Sequence, residues 1–146
     1  MNHSISAFNN ALNKANEWLK ELKEIGEFES EEQAYISLRS VLHALRERLV
    51  PDEAVQFGAE MPMLVRGFYF EGYDLSHAKP RRDNESFFNS IAREMRKVSM
   101  KVSPKHAAQA VLILLENKIS AGEFSDVVQS LPKKLRKIIL EDIEGE

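Results

Sequence analysis

Apolar residues recur at three- and four-residue steps along most of this chain, the period of helices that bury one face. Phe8, Leu12, Ala15, Trp18, Leu19, Leu22 and Ile25 make the first such face, with Lys14, Glu17, Lys20, Glu21 and Lys23 opposite and Gly26 as a helix stop. Ser30-Glu31-Glu32-Gln33 has capping-box form and predicts a second helix carrying Ala34, Leu38, Val41, Leu42, Leu45 and Leu49. Pro51 opens a short third helix with Ala54, Val55 and Phe57, and Pro62 turns the corner into a fourth through Leu64, Val65, Phe68 and Tyr69. Between Glu71 and Arg82 the period fails, and Gly72, Asp74, Ser76 and Pro80 predict a linker.

The pattern then repeats. Asp83-Asn84 offers a cap to a helix with Phe87, Phe88, Ile91, Met95 and Val98, and Ser103-Pro104 opens one with Ala107, Ala108, Val111, Leu112, Leu115 and Ile119. Ser120-Ala121-Gly122-Glu123 begins a short helix with Phe124, Val127 and Val128, and Pro132 turns into the last, with Leu135, Ile138, Ile139 and Leu140. Met61-Pro62-Met63-Leu64-Val65-Arg66 and Leu131-Pro132-Lys133-Lys134-Leu135-Arg136 share an apolar-proline corner followed by an apolar-arginine pair. No strand-like alternation interrupts. The expected fold is all-α, with about eight helices in two related units, residues 1–72 and 83–146, joined by a linker over 73–82 and packed as one compact bundle.

The run Leu38-Arg39-Ser40-Val41-Leu42-His43-Ala44-Leu45-Arg46-Glu47-Arg48-Leu49 and the later Met61 to Gly72 resemble the bacterial family catalogued as domain of unknown function 2267. Ile119 to Glu123 and Leu131 to Arg136 resemble the same family. The resemblance implies a small prokaryotic helical protein and brings no activity, cofactor or catalytic residue. The corner of short helix, Leu-Pro and Leu-Arg helix is also similar to the helical repeats of flagellar motor switch and magnesium transporter domains, which work by protein contact.

Composition narrows the chemistry. The chain has no cysteine, so thiol catalysis, disulfides and zinc thiolate sites are excluded. No apolar run approaches the roughly 20 residues of a membrane span, and the N-terminus lacks signal-peptide form, so a cytoplasmic protein is expected. His3, His43, His77 and His106 lie far apart, with no pair at ligand spacing, and neither a metal nor a cofactor is expected. Serine elbows and phosphate loops are absent as well.

Charge is unevenly spread: residues 79–105 hold 8 basic and 3 acidic side chains, whereas the whole chain carries −3. Arg81, Arg82, Arg93, Arg96 and Lys97 in this belt are the candidate anion contacts. Arg66 and Arg136 stand one turn behind a helix N-terminus, where the dipole gives a cation nothing, so each is expected to have a carboxylate or carbonyl partner. Phe68-Tyr69-Phe70 covers about 200° of a helix, more than one small unit buries, and Tyr73 lacks an apolar counterpart in the second half. Arg66, Phe68, Tyr69, Phe70, Tyr73 and Arg136 are therefore the candidate interaction residues. The expectation is a non-enzymatic module that binds a protein partner or a second copy of itself, the alternative being a nucleic-acid or anion binder using the basic belt.

Overall fold

The computed structural model describes residues 5–75, 84–98 and 101–144. Among them run eight α-helices: α1 (Ser6–Gly26), α2 (Glu31–Arg46), α3 (Pro51–Ala59), α4 (Met63–Phe70), α5 (Asn84–Met95), α6 (Pro104–Lys118), α7 (Ala121–Gln129) and α8 (Lys133–Glu144). A short 3₁₀ turn, Arg96–Val98, follows α5.

The expected caps start the helices. Ser30 Oγ accepts from Gln33 N at 3.1 Å, and Gln33 Oε1 reaches back to Glu29 N at 3.0 Å, one residue before the position a capping box would predict. Ser103 and Ser120 cap α6 and α7 in the same way. Gly26 works differently from the expected stop. The left-handed residue after α1 is Glu27, at φ 53°. Gly26 is required because the Phe28 ring folds over it: a Cβ there would lie 2.3 Å from Phe28 Cε2.

Helix starts in the two halves fall 70 residues apart, Pro51 with Ala121 and Met63 with Lys133. Core positions keep the same offset: Leu42 and Leu112, Leu45 and Leu115, Phe57 and Val127, Met61 and Leu131, Val65 and Leu135, and Tyr69 and Ile139 are all buried. At the corners, Arg66 N donates to Pro62 O at 2.8 Å and Arg136 N to Pro132 O at 2.9 Å. From α3 and α7 on, helix starts and these buried positions thus keep one offset of 70 residues. The helices pack through α2 against α5 and α6, α1 against α6, and α3 against α7, around one continuous core from Trp18 to Ile139.

The first apolar face is only half buried. Ala11, Ala15, Trp18 and Leu22 enter the core, but Phe8 and Leu12, expected inside, are 64% and 52% exposed. The period along α1 holds from end to end, but the other described residues cover mainly its second part. No helix among the described residues is long and apolar enough to cross a membrane.

Candidate functional site

Helix α2 presents its apolar stripe to the core and, beside it, a polar stripe of Arg39, His43 and Arg46 at steps of four and three. His43 and Arg46 are only 9% and 6% exposed. They remain buried because they meet the end of α4, whose last carbonyls have no partner within the helix. His43 Nε2 lies 2.7 Å from Phe68 O, and Arg46 Nη1 donates to Tyr69 O at 2.5 Å and Glu71 O at 2.7 Å. The Arg46 cation also suits the negative end of the α4 dipole. Gly72 then takes φ 74°, and the Arg46 guanidinium sits 5.5 Å from the centre of the Tyr73 ring.

On its other side the stripe holds α5. His43 Nδ1 lies 2.8 Å from Glu94 Oε1, and Arg39 reaches the same oxygen at 3.3 Å and the Glu71 carboxylate at 2.7 Å. Burial raises the Glu94 carboxyl, but the hydrogen bond and charge of His43, with Arg39 behind, outweigh it and hold the group below its ordinary range. Glu71 is lowered too, first by its hydrogen bond from Arg39. His43, Arg46 and Glu94 floor a cleft of about 350 Å³ whose remaining walls include Glu47, Asp74, Arg93 and Lys97.

Both His43 ring nitrogens are occupied, one by the Glu94 carboxylate and one by the Phe68 carbonyl. A larger cleft of about 700 Å³ lies between the end of α1 and the start of α6. There His106 Nε2 meets Gly26 O at 2.7 Å, and the ring stands edge-on to Phe28. That histidine closes the end of α1 against α6, in a cleft it shares with Glu27, Glu29, Lys101 and Ser103. Among the described residues no three His, Asp or Glu side chains gather to hold a metal ion.

The candidate residues fall in different places. Arg66 folds back on α3: Nε donates to Gly58 O at 3.0 Å, and Nη2 to Met61 O at 2.9 Å and Ala59 O at 3.3 Å. It is the α3 C-cap, with the carbonyl partners its position required. Arg136 is half-buried, with no such set of carbonyls among the described residues. Tyr69 is fully buried, edge-on to Phe57, and its hydroxyl donates to Ala54 O at 2.7 Å. Phe68 and Phe70 are half-buried and meet rings of their own half, Tyr35 for one, Tyr69 and Tyr73 for the other. Tyr73 packs against the core under Arg46.

Arg93 and Lys97 stand at the rim of the cleft, interleaved with three carboxylates, and Arg96 is exposed on the 3₁₀ turn. Arg81 and Arg82 lie outside the described residues. Sequence reasoning passed over Arg39, Arg46 and Glu94. The available signal was three basic side chains at steps of four and three along the border of an apolar face.

The described residues form a small all-helical bundle in which a buried polar contact ties α2, α4 and α5 together. Its sequence places it among proteins described only as Uncharacterized conserved protein (DUF2267): the family model matches residues 15–138, and the chain belongs to that family. No curated protein matches it. The exposed stripe at the start of α1 precedes the matched segment.

Proposed function

We propose that this is a non-enzymatic cytoplasmic interaction module whose contact surface is the first part of α1 and whose partner there is a second copy of the chain. The observation that carries the proposal is the stripe Ile5, Phe8 and Leu12, exposed by 58%, 64% and 52%. It runs at steps of three and four and continues in phase into Ala15, Leu19 and Leu22, the part of the helix that packs on the protein's own core. Among the described residues the seam is covered for half its length and largely exposed for the rest.

Charge supports self-pairing. Residues 5–13 contain no Asp, Glu, Lys or Arg, in a protein with 29% charged residues, so two copies of this surface meet without repulsion. Val55, Met63 and Leu64 are also exposed, but Asp52 and Glu53 stand exposed on the same short α3 as Val55, and self-pairing there would bring like charges together. Taking side-chain areas of about 150–250 Å², the α1 stripe would bury on the order of 350 Å² per copy. The pair falls below the ~1,200 Å² of the smallest standard interfaces, so the dimer is weak, micromolar or looser.

Sedimentation velocity over a concentration series tests the proposal. The wild type should dimerise reversibly at about 100 μM, and Phe8→Asp or Leu12→Asp should abolish the dimer without lowering Tm. A wild type that stays monomeric throughout, or a dimer indifferent to both substitutions, contradicts it.

A further inference from the structure

The cleft between α2 and α5 holds cationic donors that the protein itself leaves unused. Buried Arg46 directs Nε to Glu47 and Nη1 to two carbonyls, but its Nη2 has no acceptor among the described residues. That nitrogen lies at the Gly72 end of the cleft, where an added Cβ would stand 3.8 Å from it. On the α5 wall, Arg93 and Lys97 stand four residues apart and form no ion pair among the described residues. The lining carboxylates, by contrast, are engaged. Glu47 meets Arg46, Glu94 meets Arg39 and His43, and Asp74 has a contact of its own. The charge still open to a ligand is therefore positive.

The rest of the lining narrows what that ligand is. A guanidinium keeps its charge and offers N–H groups in a fixed plane, which suits phosphate or carboxylate oxygens. A phosphate monoester brings nearly two charges and three acceptor oxygens, one for each of the three cationic groups; a carboxylate brings one charge and two oxygens. Beyond the cations the walls accept. Ser90 Oγ gives its one hydrogen to Phe87 O at 2.9 Å, and Glu47 carries only carboxylate oxygens. The far end of the ligand must then donate, as hydroxyl groups do. At about 350 Å³ the cleft is at the small end of the roughly 300–1,000 Å³ of ligand sites.

We propose that this cleft binds a small phosphomonoester bearing hydroxyl groups, a sugar phosphate in class. Its phosphate sits among Arg46 Nη2, Arg93 and Lys97, and its hydroxyls turn toward Ser90 and Glu47. A nucleic-acid strand does not fit this arrangement, because neighbouring phosphates would meet Glu47 and Asp74. The site is independent of the α1 surface.

Isothermal titration calorimetry of the whole chain with glucose 6-phosphate, inorganic phosphate and glucose tests the site. Glucose 6-phosphate should bind one to one with a Kd of about 1 mM or tighter, about tenfold tighter than inorganic phosphate, and glucose should not bind. Arg93→Gln and Lys97→Gln, both at exposed positions, should each weaken binding about tenfold. Arg96→Gln removes the same charge from the same turn as Lys97 but outside the cleft, and should change binding less than about twofold. If a variant fails to fold, NMR titration of the wild type decides, with the Gly72 amide expected among the largest shifts. No saturable heat by about 10 mM glucose 6-phosphate, equal affinity for inorganic phosphate, an unmoved Gly72 amide, or equal losses in Arg96→Gln and Lys97→Gln overturns the proposal.

Discussion

Replacing Tyr69 by Phe removes one oxygen from a fully buried ring. That ring lies 5.3 Å from Phe57 and 4.8 Å from Phe70, and its hydroxyl ties α4 to Ala54 O of α3 at 2.7 Å. Phe keeps the packing, so the cost is one net hydrogen bond plus part of the penalty for a carbonyl without its partner, about 1–2 kcal/mol. For a chain of this size that lowers Tm by about 3–6 °C. The pH dependence is the sharper check. Burial raises the Tyr69 phenol well above its ordinary value of 10.0. A proton held more tightly in the folded state gives stability that is complete below the unfolded value and is lost as pH rises past it. One pH unit above that value the wild type has lost about 1.4 kcal/mol that the Phe variant never had. Urea denaturation of both proteins at pH 7 and pH 11 should therefore show a clear gap that nearly closes. A variant equal to wild type at pH 7, or a gap unchanged at pH 11, would refute the claim that this hydroxyl fastens the corner.

Two glycines should behave oppositely. Gly58→Ala places a methyl 2.7 Å from the Phe70 ring and should cost about 1–3 kcal/mol, while Gly67→Ala meets nothing within 4 Å and should gain about 0.5–1 kcal/mol from helix propensity, both read by thermal melts. Arg66→Ala removes the α3 cap and should cost about 1 kcal/mol in urea titration, against less than about 0.5 kcal/mol for Arg136→Ala, which caps nothing comparable. Fluorescence anisotropy with mixed DNA and RNA should find nothing tighter than the roughly 10⁻⁴ to 10⁻⁶ M of non-specific binding, because Arg93 and Lys97 share their cleft with Glu47, Asp74 and Glu94.

The helices were readable because period, proline and serine caps all point the same way, from Ser30 and Ser120 to the Pro62 and Pro132 corners. Periodicity reports which residues share a face and is silent on how far along a helix that face is covered. Phe8 and Leu12 fit the α1 pattern as well as Leu22 does, yet Leu22 is fully buried while both of them stay more than half exposed. The tie was illegible for a related reason. Arg39, His43 and Arg46 look like the solvent side of α2 until α4 ends against them and Glu94 arrives from 51 residues beyond His43. The basic steps along α2 are visible locally, but the partner they meet across that distance is not. Arg66 was readable because its partners lie within eight residues and its place against the helix dipole demanded them.

The central claim is that two copies meet along the start of α1, and the absence of cysteine from the chain allows a direct measurement of it. A two-fold contact centred on the stripe brings position 8 of one copy next to position 8 of the other. Phe8→Cys under mild oxidation should give a disulfide-linked dimer on a non-reducing gel, faster at higher protein concentration. Lys14→Cys, exposed on the same helix but away from the stripe, should stay largely monomeric. Equal cross-linking at both positions, or none at position 8, would contradict the account.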